Sequence, residues 1–434
     1  MGFMKFSSAA RIGKRLSTFV GGQSAVQLLN AATGLALLRL LPKSEYAIYA
    51  VALGIQGMIG ILTDIGFGSA ILALVGTRYQ DKKLLGSYIK AASFIRRSLL
   101  TIVTVIAILV IAIFRHSRFE GHGSHEVAFL AGAVLVTVQF QAWASYYEAP
   151  QLLNNRLVAY YSPQIVCAAL RIVIAFILYY THTISSTTMV LANTVSIVIM
   201  GVSYRILARP WIEVPHALSR EHAREMIRYL MPLLPLYLYA ALSGQISLFL
   251  ITVFGHVGQI AEVAAAGRIG QLFLLLSSSN AVLVTPLFAR TPRSSFMRRY
   301  AYTMAIVGVV ALLVAGSARL FPGIYLFILG AKYSNLTYQV QLVVYTAAIG
   351  YISGAMWAVA TARKWVFWWS GTLQVAMVGI TQVVSASLLP LNTSQGVLMM
   401  GIYTGLAAVG VQVAYLVFGL SMHRKTEAEQ AVAI

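Results

Sequence analysis

The feature that most limits this chain is the recurrence of apolar runs as long as a bilayer is thick. Ser98 to Phe114, Val127 to Ala144, Thr187 to Ile206 and Gly396 to Leu420 each meet or approach that length. A membrane-crossing helix needs roughly 20 predominantly apolar residues. Composition removes the alternative, an unusually apolar soluble core. Hydrophobic residues make up 59 % of the 434 and charged residues only 10 %, against about 25 % charge in an ordinary soluble domain. So few charges cannot cover that much apolar surface in water. The chain therefore reads as an all-α polytopic membrane protein.

Spans are expected near 17–41, 46–72, 97–114, 127–148, 160–180, 187–207, 229–254, 263–288, 300–319, 336–360, 365–389 and 396–420. The basic start (Lys5, Arg11, Lys14, Arg15) runs into the first span without a small-residue cleavage site, so that span is expected to be retained. The lone cysteine, Cys167, excludes an intrachain disulfide and should pack as a small hydrophobe.

A net charge of +20 in a soluble protein would point to nucleic acid. Here the charge sorts by side, and no nucleic-acid partner is expected. With the N-terminus inside, the inward segments and helix ends hold Arg78, Lys82, Lys83, Lys90, Arg96 and Arg97. Further along they hold Arg156, then Arg205 to Arg228, then Arg290 to Arg299, then Arg363 and Lys364, with Arg424 and Lys425 in the tail. The opposite side has only Arg39, Lys43, Arg115, Arg118, Arg319 and Lys332. Cytoplasmic loops carry the excess of Lys and Arg, so both termini are expected in the cytoplasm. Trp143, Tyr146 and Tyr147, and then Trp365, Trp368 and Trp369, are expected to mark the cytoplasmic boundary.

The longest inward segment mixes Arg220, Arg224 and Arg228 with Glu221 and Glu225, a spacing that suits a short helix with paired charges. It divides the chain into a six-helix bundle at 1–207, a cytoplasmic linker at 208–228, a second six-helix bundle at 229–420 and a cytoplasmic tail at 421–434. Equal halves suggest a duplicated transporter with a central cavity between them.

Polar residues inside the spans are costly in hydrocarbon and should face protein or water. Gln23, Gln27 and Asn30 share one face of the first span; Arg268, Gln271, Ser278 and Thr285 recur along the eighth. Such stripes line a cavity or bond neighbouring helices. Arg171 and Arg268 lie within spans rather than at the basic rim. Arginine grips phosphate through a planar fork of donors, and it also snorkels. Asp64, in the second span, is a candidate for proton or cation coupling, or else an ion-pair partner that holds the bundle. Glu148, at the inner boundary, is a second coupling candidate.

Enzyme chemistry finds little support. His116, His122 and His125 cluster in one outer loop, with Glu126 adjacent, and a solvated loop explains them better than a metal site. There is no Walker motif. The outward loops are too short to fold into a catalytic domain. No catalytic residue, metal or cofactor is expected.

Short motifs then carry a resemblance. Gly22-Gln23 leads to Arg39-Leu40-Leu41-Pro42, Glu45-Tyr46-Ala47-Ile48-Tyr49 and Leu62-Thr63-Asp64-Ile65-Gly66-Phe67-Gly68. Val263 to Leu272 and Leu329-Gly330-Ala331-Lys332-Tyr333 follow in later spans. Together they resemble the Wzx-type polysaccharide flippases of the multidrug/oligosaccharidyl-lipid/polysaccharide exporter superfamily. Where many relatives carry an acid in the seventh span, this chain reads Gln245-Ile246-Ser247-Leu248. The resemblance implies translocation of a polyprenyl-diphosphate-linked oligosaccharide across a bacterial cytoplasmic membrane, in concert with other polysaccharide-assembly proteins. Alternating access would be driven by a proton or sodium gradient. Arg171 and Arg268 would meet the diphosphate, and Gln23, Gln27, Asn30 and Gln271 the sugar. The rivals are a cation-coupled drug exporter of the same superfamily, a lipid II flippase, which usually has two further spans, and a membrane glycan polymerase, which usually has a large outer loop.

Overall fold

In the computed structural model the described backbone comprises residues 2–64, 66–78, 80–114, 124–154, 156–231, 234–289, 291–363, 365, 367 and 369–432. Side chains are described for most of these, beginning at Thr18 and ending at Ser421. The histidines of the 115–126 loop, Ser278, Lys364, Trp368, Arg424 and Lys425 lie outside the described side chains. Every regular element among the described residues is helical, and eight of these helices are long and apolar enough to cross a membrane. The protein is a multi-pass membrane protein.

The chain packs as two compact units, Met1–Gln245 and Ile246–Ile434. The first unit begins with α1 (Gly2–Leu40), α2 (Lys43–Asp64), α3 (Phe67–Val75), α4 (Lys82–Phe114) and α5 (Ser124–Tyr147). It continues through α6 (Ala149–Leu153), α7 (Leu157–Tyr180), α8 (Ser186–Ala208), α9 (Arg220–Leu230) and α10 (Leu234–Ser243). Local chemistry fixes where several of these begin. Asp81 accepts from the backbone N–H groups of Lys83 and Leu84, both at 3.0 Å, and so starts α4. Ser185 and Thr188 form a reciprocal capping box at α8. Glu45 reaches across from α2 to accept from the Ser186 N–H at 2.6 Å, a carboxylate at the positive end of α8.

The expected second span is broken. Gly66 takes φ 75°, a left-handed conformation that glycine adopts without steric cost, and separates α2 from α3. The side chain of Tyr237 from α10 packs over it: a Cβ at Gly66 would lie 2.3 Å from the Tyr237 hydroxyl. Small residues also set the helix spacing. At Gly22 a Cβ would lie 2.3 Å from the Tyr161 ring, so α1 rests directly on α7. At Gly201 it would lie 2.6 Å from the carbonyl oxygen of Phe140, so α8 rests on the backbone of α5. Close approach through small residues is the usual way that membrane helices gain contact. Cys167 is buried and its thiol donates to the carbonyl of Ser196 at 2.8 Å, bridging α7 and α8.

The second unit contains α11 (Ile246–Phe254), α12 (Val257–Leu272), α13 (Leu274–Ser279), α14 (Thr285–Ala289) and α15 (Phe296–Leu320). The last elements are α16 (Pro322–Leu329), α17 (Thr337–Ala362), α18 (Ser370–Leu388) and α19 (Ser394–Val432). The expected eighth span is interrupted twice, after Leu272 and by a π turn over Asn280–Val284. A π turn carries an extra residue and leaves the local hydrogen-bond ladder irregular. The buried Asn280 side chain donates from Nδ2 to the Tyr351 carbonyl of α17 at 3.1 Å, anchoring that irregular stretch.

Two aromatic boundary residues sit differently from the sequence expectation. Tyr146 and Trp365 are buried within core clusters rather than spread along an interface. Tyr146 packs with α3, α4 and α9, and Trp365 packs edge-on against Phe296 at 5.3 Å between ring centres.

Candidate functional site

The first unit is threaded by one polar chain that crosses α1, α7, α8, α2 and α5. Arg171 on α7 is its centre. The guanidinium donates from Nη2 to Asn30 Oδ1 at 2.6 Å and from Nη1 to Asn193 Oδ1 at 3.2 Å. Asn193 then donates from Nδ2 to Gln56 Oε1 at 2.8 Å, and Gln56 donates from Nε2 to Gln141 Oε1 at 3.4 Å. Asn193 and Gln56 are buried, and Arg171, Asn30 and Gln141 are half-buried. Each of these amide oxygens accepts from the side of the arginine, so the amide N–H groups point outward along the chain. Such a chain is polarised: it carries positive charge at its centre and presents donors at its ends. The amide oxygens of Asn30 and Asn193 orient the guanidinium between α1 and α8. In low-dielectric surroundings the bonds reinforce one another.

Sequence reasoning placed Arg171 and Asn30 inside spans, and the structure brings them into direct contact. Gln23 and Gln27 lie on the same helix as Asn30 and are half-buried. Gln56, Gln141 and Asn193 were missed. Each lies within a predicted span, and an amide in hydrocarbon must reach a partner, which is the signal that could have found them.

A second polar site lies where α2, α4 and α5 meet. Arg96 is 2 % exposed and faces Asp64, with 3.6 Å between Nη1 and Oδ1. Its guanidinium also donates to the Thr63 hydroxyl at 3.3 Å, the Ser145 hydroxyl at 3.4 Å and the Val138 carbonyl at 3.4 Å. Ser145 in turn donates to Asp64 Oδ1 at 3.0 Å. The sequence groups Arg96 with Arg97 at the basic rim. Only Arg96 turns inward, where Thr63 and Ser145 accept from it.

In the second unit, Arg268 donates to Gln271 Oε1 at 3.0 Å, one turn further along α12. Arg268 is half-buried and Gln271 exposed. Elsewhere in that unit Ser394 donates to Glu262 at 2.8 Å and accepts from Gln339 at 3.1 Å, joining α12, α17 and α19. No group of three metal-ligating side chains occurs among the described residues.

The fold is similar to that of solved transporters described as members of the MOP superfamily. Among solved structures, an inward-facing multidrug-resistance MATE transporter of that superfamily matches with a TM-score of 0.65 at 15 % identity, covering 93 % of this chain and 96 % of the other. The lipid II flippase MurJ in an inward closed conformation matches with a TM-score of 0.65 at 15 % identity, covering 93 % of this chain and 87 % of the other. A MOP-superfamily transporter from Pyrococcus furiosus, described as having a binding pocket of reversed polarity, matches with a TM-score of 0.61 at 17 % identity, covering 94 % of each. At these identities the likeness is one of fold. No protein-family model and no curated protein matches the sequence.

Proposed function

We propose that this protein is a flippase for a polyprenyl-diphosphate-linked oligosaccharide in a bacterial cytoplasmic membrane, with both termini in the cytoplasm. The observation that carries the reading is the polarised chain through Arg171. A guanidinium held between Asn30 and Asn193, with amide donors directed away from it, suits an anion and sugar oxygens. A cation exporter would need acceptors at the same place. Arg268, with Gln271 beside it, is the second phosphate-binding candidate, and Gln23 and Gln27 extend the amide face of α1. The sugar headgroup cannot cross hydrocarbon unaided, whereas a polyprenyl tail can stay in lipid. Alternating access would therefore move only the headgroup. The known lipid II flippase shares the fold, which supports a lipid-linked cargo for this architecture.

Coupling to a proton or sodium gradient would run through Asp64 and Glu148. A proton or cation arriving at Asp64 would compete with Arg96 for the carboxylate and loosen the contact of α2 with α4. Other polysaccharide-assembly proteins would supply and consume the lipid-linked repeat unit.

The test is genetic and chemical. Deletion of the gene should accumulate lipid-linked repeat units on the cytoplasmic face. Arg171→Ala should abolish export at normal protein level, and Arg171→Lys should restore part of it, since the charge returns without the planar fork. Normal export by both Arg171→Ala and Arg268→Ala would remove the anion-site argument. Accumulation of single repeats on the outer face would favour a polymerase. Drug sensitivity with intact surface polysaccharide would favour the exporter reading, for which the multidrug-resistance MATE fold is the supporting observation.

A further inference from the structure

Helix α9 links the last span of the first unit to α10, and its attachment to that unit fixes which way it faces. Met226 and Leu230 are buried against Phe67, Ile71, Leu85 and Ile89 of α3 and α4. The Tyr88 hydroxyl donates to Glu225, and the Tyr88 ring lies 4.7 Å from the His222 ring. At 3.6 residues per turn, the direction opposite this buried seam is occupied by Arg220, Arg224 and Arg228, which follow each other at every fourth position. All three are exposed. Of the two acids on the helix, Glu225 is held by Tyr88, which leaves Glu221 beside the stripe.

The neighbouring ridge is apolar. Ile227 and Met231 are four residues apart, flank the arginines, and are 44 % and 59 % exposed. A helix whose outer face met only water would have no use for that ridge, since its buried seam is already satisfied on the protein. An arginine stripe beside an exposed apolar ridge is the pattern of a helix lying in the headgroup layer, with apolar side chains dipping toward the acyl chains and guanidinium groups at phosphate depth.

We propose that α9 is an interfacial helix and that its Arg220–Arg224–Arg228 stripe binds anionic phospholipid headgroups of the leaflet at that end of the unit. Charge complementarity selects this occupant: the stripe is basic, and a juxtamembrane basic segment draws anionic lipid. The inference does not depend on what the protein carries. Its consequence is that α9 tethers the stretch of the first unit between α8 and α10 to the membrane surface, so that anionic lipid becomes a ligand of that stretch.

The experiment uses the full chain in phosphatidylcholine nanodiscs, with a bimane fluorophore on Ile227→Cys in a Cys167→Ser background. The nanodiscs carry doxyl-labelled phosphatidylglycerol or doxyl-labelled phosphatidylcholine at equal mole fraction. The phosphatidylglycerol probe should quench several-fold more strongly. Each Arg→Gln change in the stripe should weaken that preference about fivefold, and the triple variant should lose it. Arg224→Lys should keep the preference, because the charge remains, and serves as the folded control. Equal quenching by the two probes would overturn the proposal. So would quenching by neither, which would place the ridge in water, facing a soluble partner.

Discussion

Replacing Asp64 by Asn keeps the shape of the side chain and removes its charge, leaving Arg96 in place. At 3.6 Å the pair interacts by about 5 kcal/mol for an effective dielectric near 20. Asp64 is 39 % exposed, so water screens part of this, and about 2 kcal/mol is the lower bound to expect. Arg96 is 2 % exposed and cannot recover hydration when its counter-charge goes. Asp64→Asn should therefore cost about 2–5 kcal/mol. Arg96→Met should cost less, under about 2 kcal/mol, because it removes the desolvated charge and leaves Asp64 free to turn toward water. The double variant should resemble Arg96→Met, which gives a coupling energy of about 2 kcal/mol or more. Unfolding of the detergent-solubilised protein by titration with dodecyl sulfate, followed by circular dichroism, measures all three. Costs that add within about 0.5 kcal/mol would show that the two charges are not coupled and would refute the reasoning.

Three further outcomes follow from other contacts. Gly22→Ala puts a Cβ 2.3 Å from the Tyr161 ring and should cost about 1–3 kcal/mol as α1 is pushed from α7, with Tyr161→Ala restoring part of the loss in a thermal melt. Gly66→Ala should cost about 1–2 kcal/mol for its positive φ alone, plus the overlap with Tyr237, and Tyr237→Ala should relieve only the second part. Burial first, and then the hydrogen bond and charge of Glu225, push the Tyr88 phenol from its ordinary 10.0 up to about 12. The folded state holds that proton more tightly, so the stabilisation is complete below pH 10.0 and is lost as the pH rises through about 12. Hydrogen exchange in α9 should therefore accelerate over that alkaline window, and Tyr88→Phe should remove the step.

The helical spans were legible because hydrocarbon imposes one length and one composition on every crossing segment, whatever the neighbours are. What broke those spans was not legible in the same way. Gly66 and the π turn at Asn280 are decided by Tyr237 and by the Tyr351 carbonyl, partners distant in sequence. Arg96 shows the same limit. It differs from Arg97 only by a rotation of 100° around the helix, and that rotation separates a rim residue from a buried charge. Asn30 is legible as the end of the Gln23–Gln27–Asn30 stripe and Arg171 as a lone charge within its span. Their contact depends on Gly22 letting α1 settle onto α7, a tertiary fact with no local periodicity. Asn193, Gln56 and Gln141 are visible as amides within spans but do not recur at helical spacing, so a search for stripes passes over them.

Cys167 is the only thiol in the sequence, and it faces the seam between α7 and α8. The native protein thus carries its own gauge of that seam. A maleimide reagent needs no engineered position here: it can modify the chain only if the two helices part far enough to admit it. If α7 and α8 travel together as one body through the transport cycle, the thiol should stay unreacted while cargo moves. If the cycle slides one helix past the other, labelling should rise with turnover, and the wild-type protein becomes its own reporter.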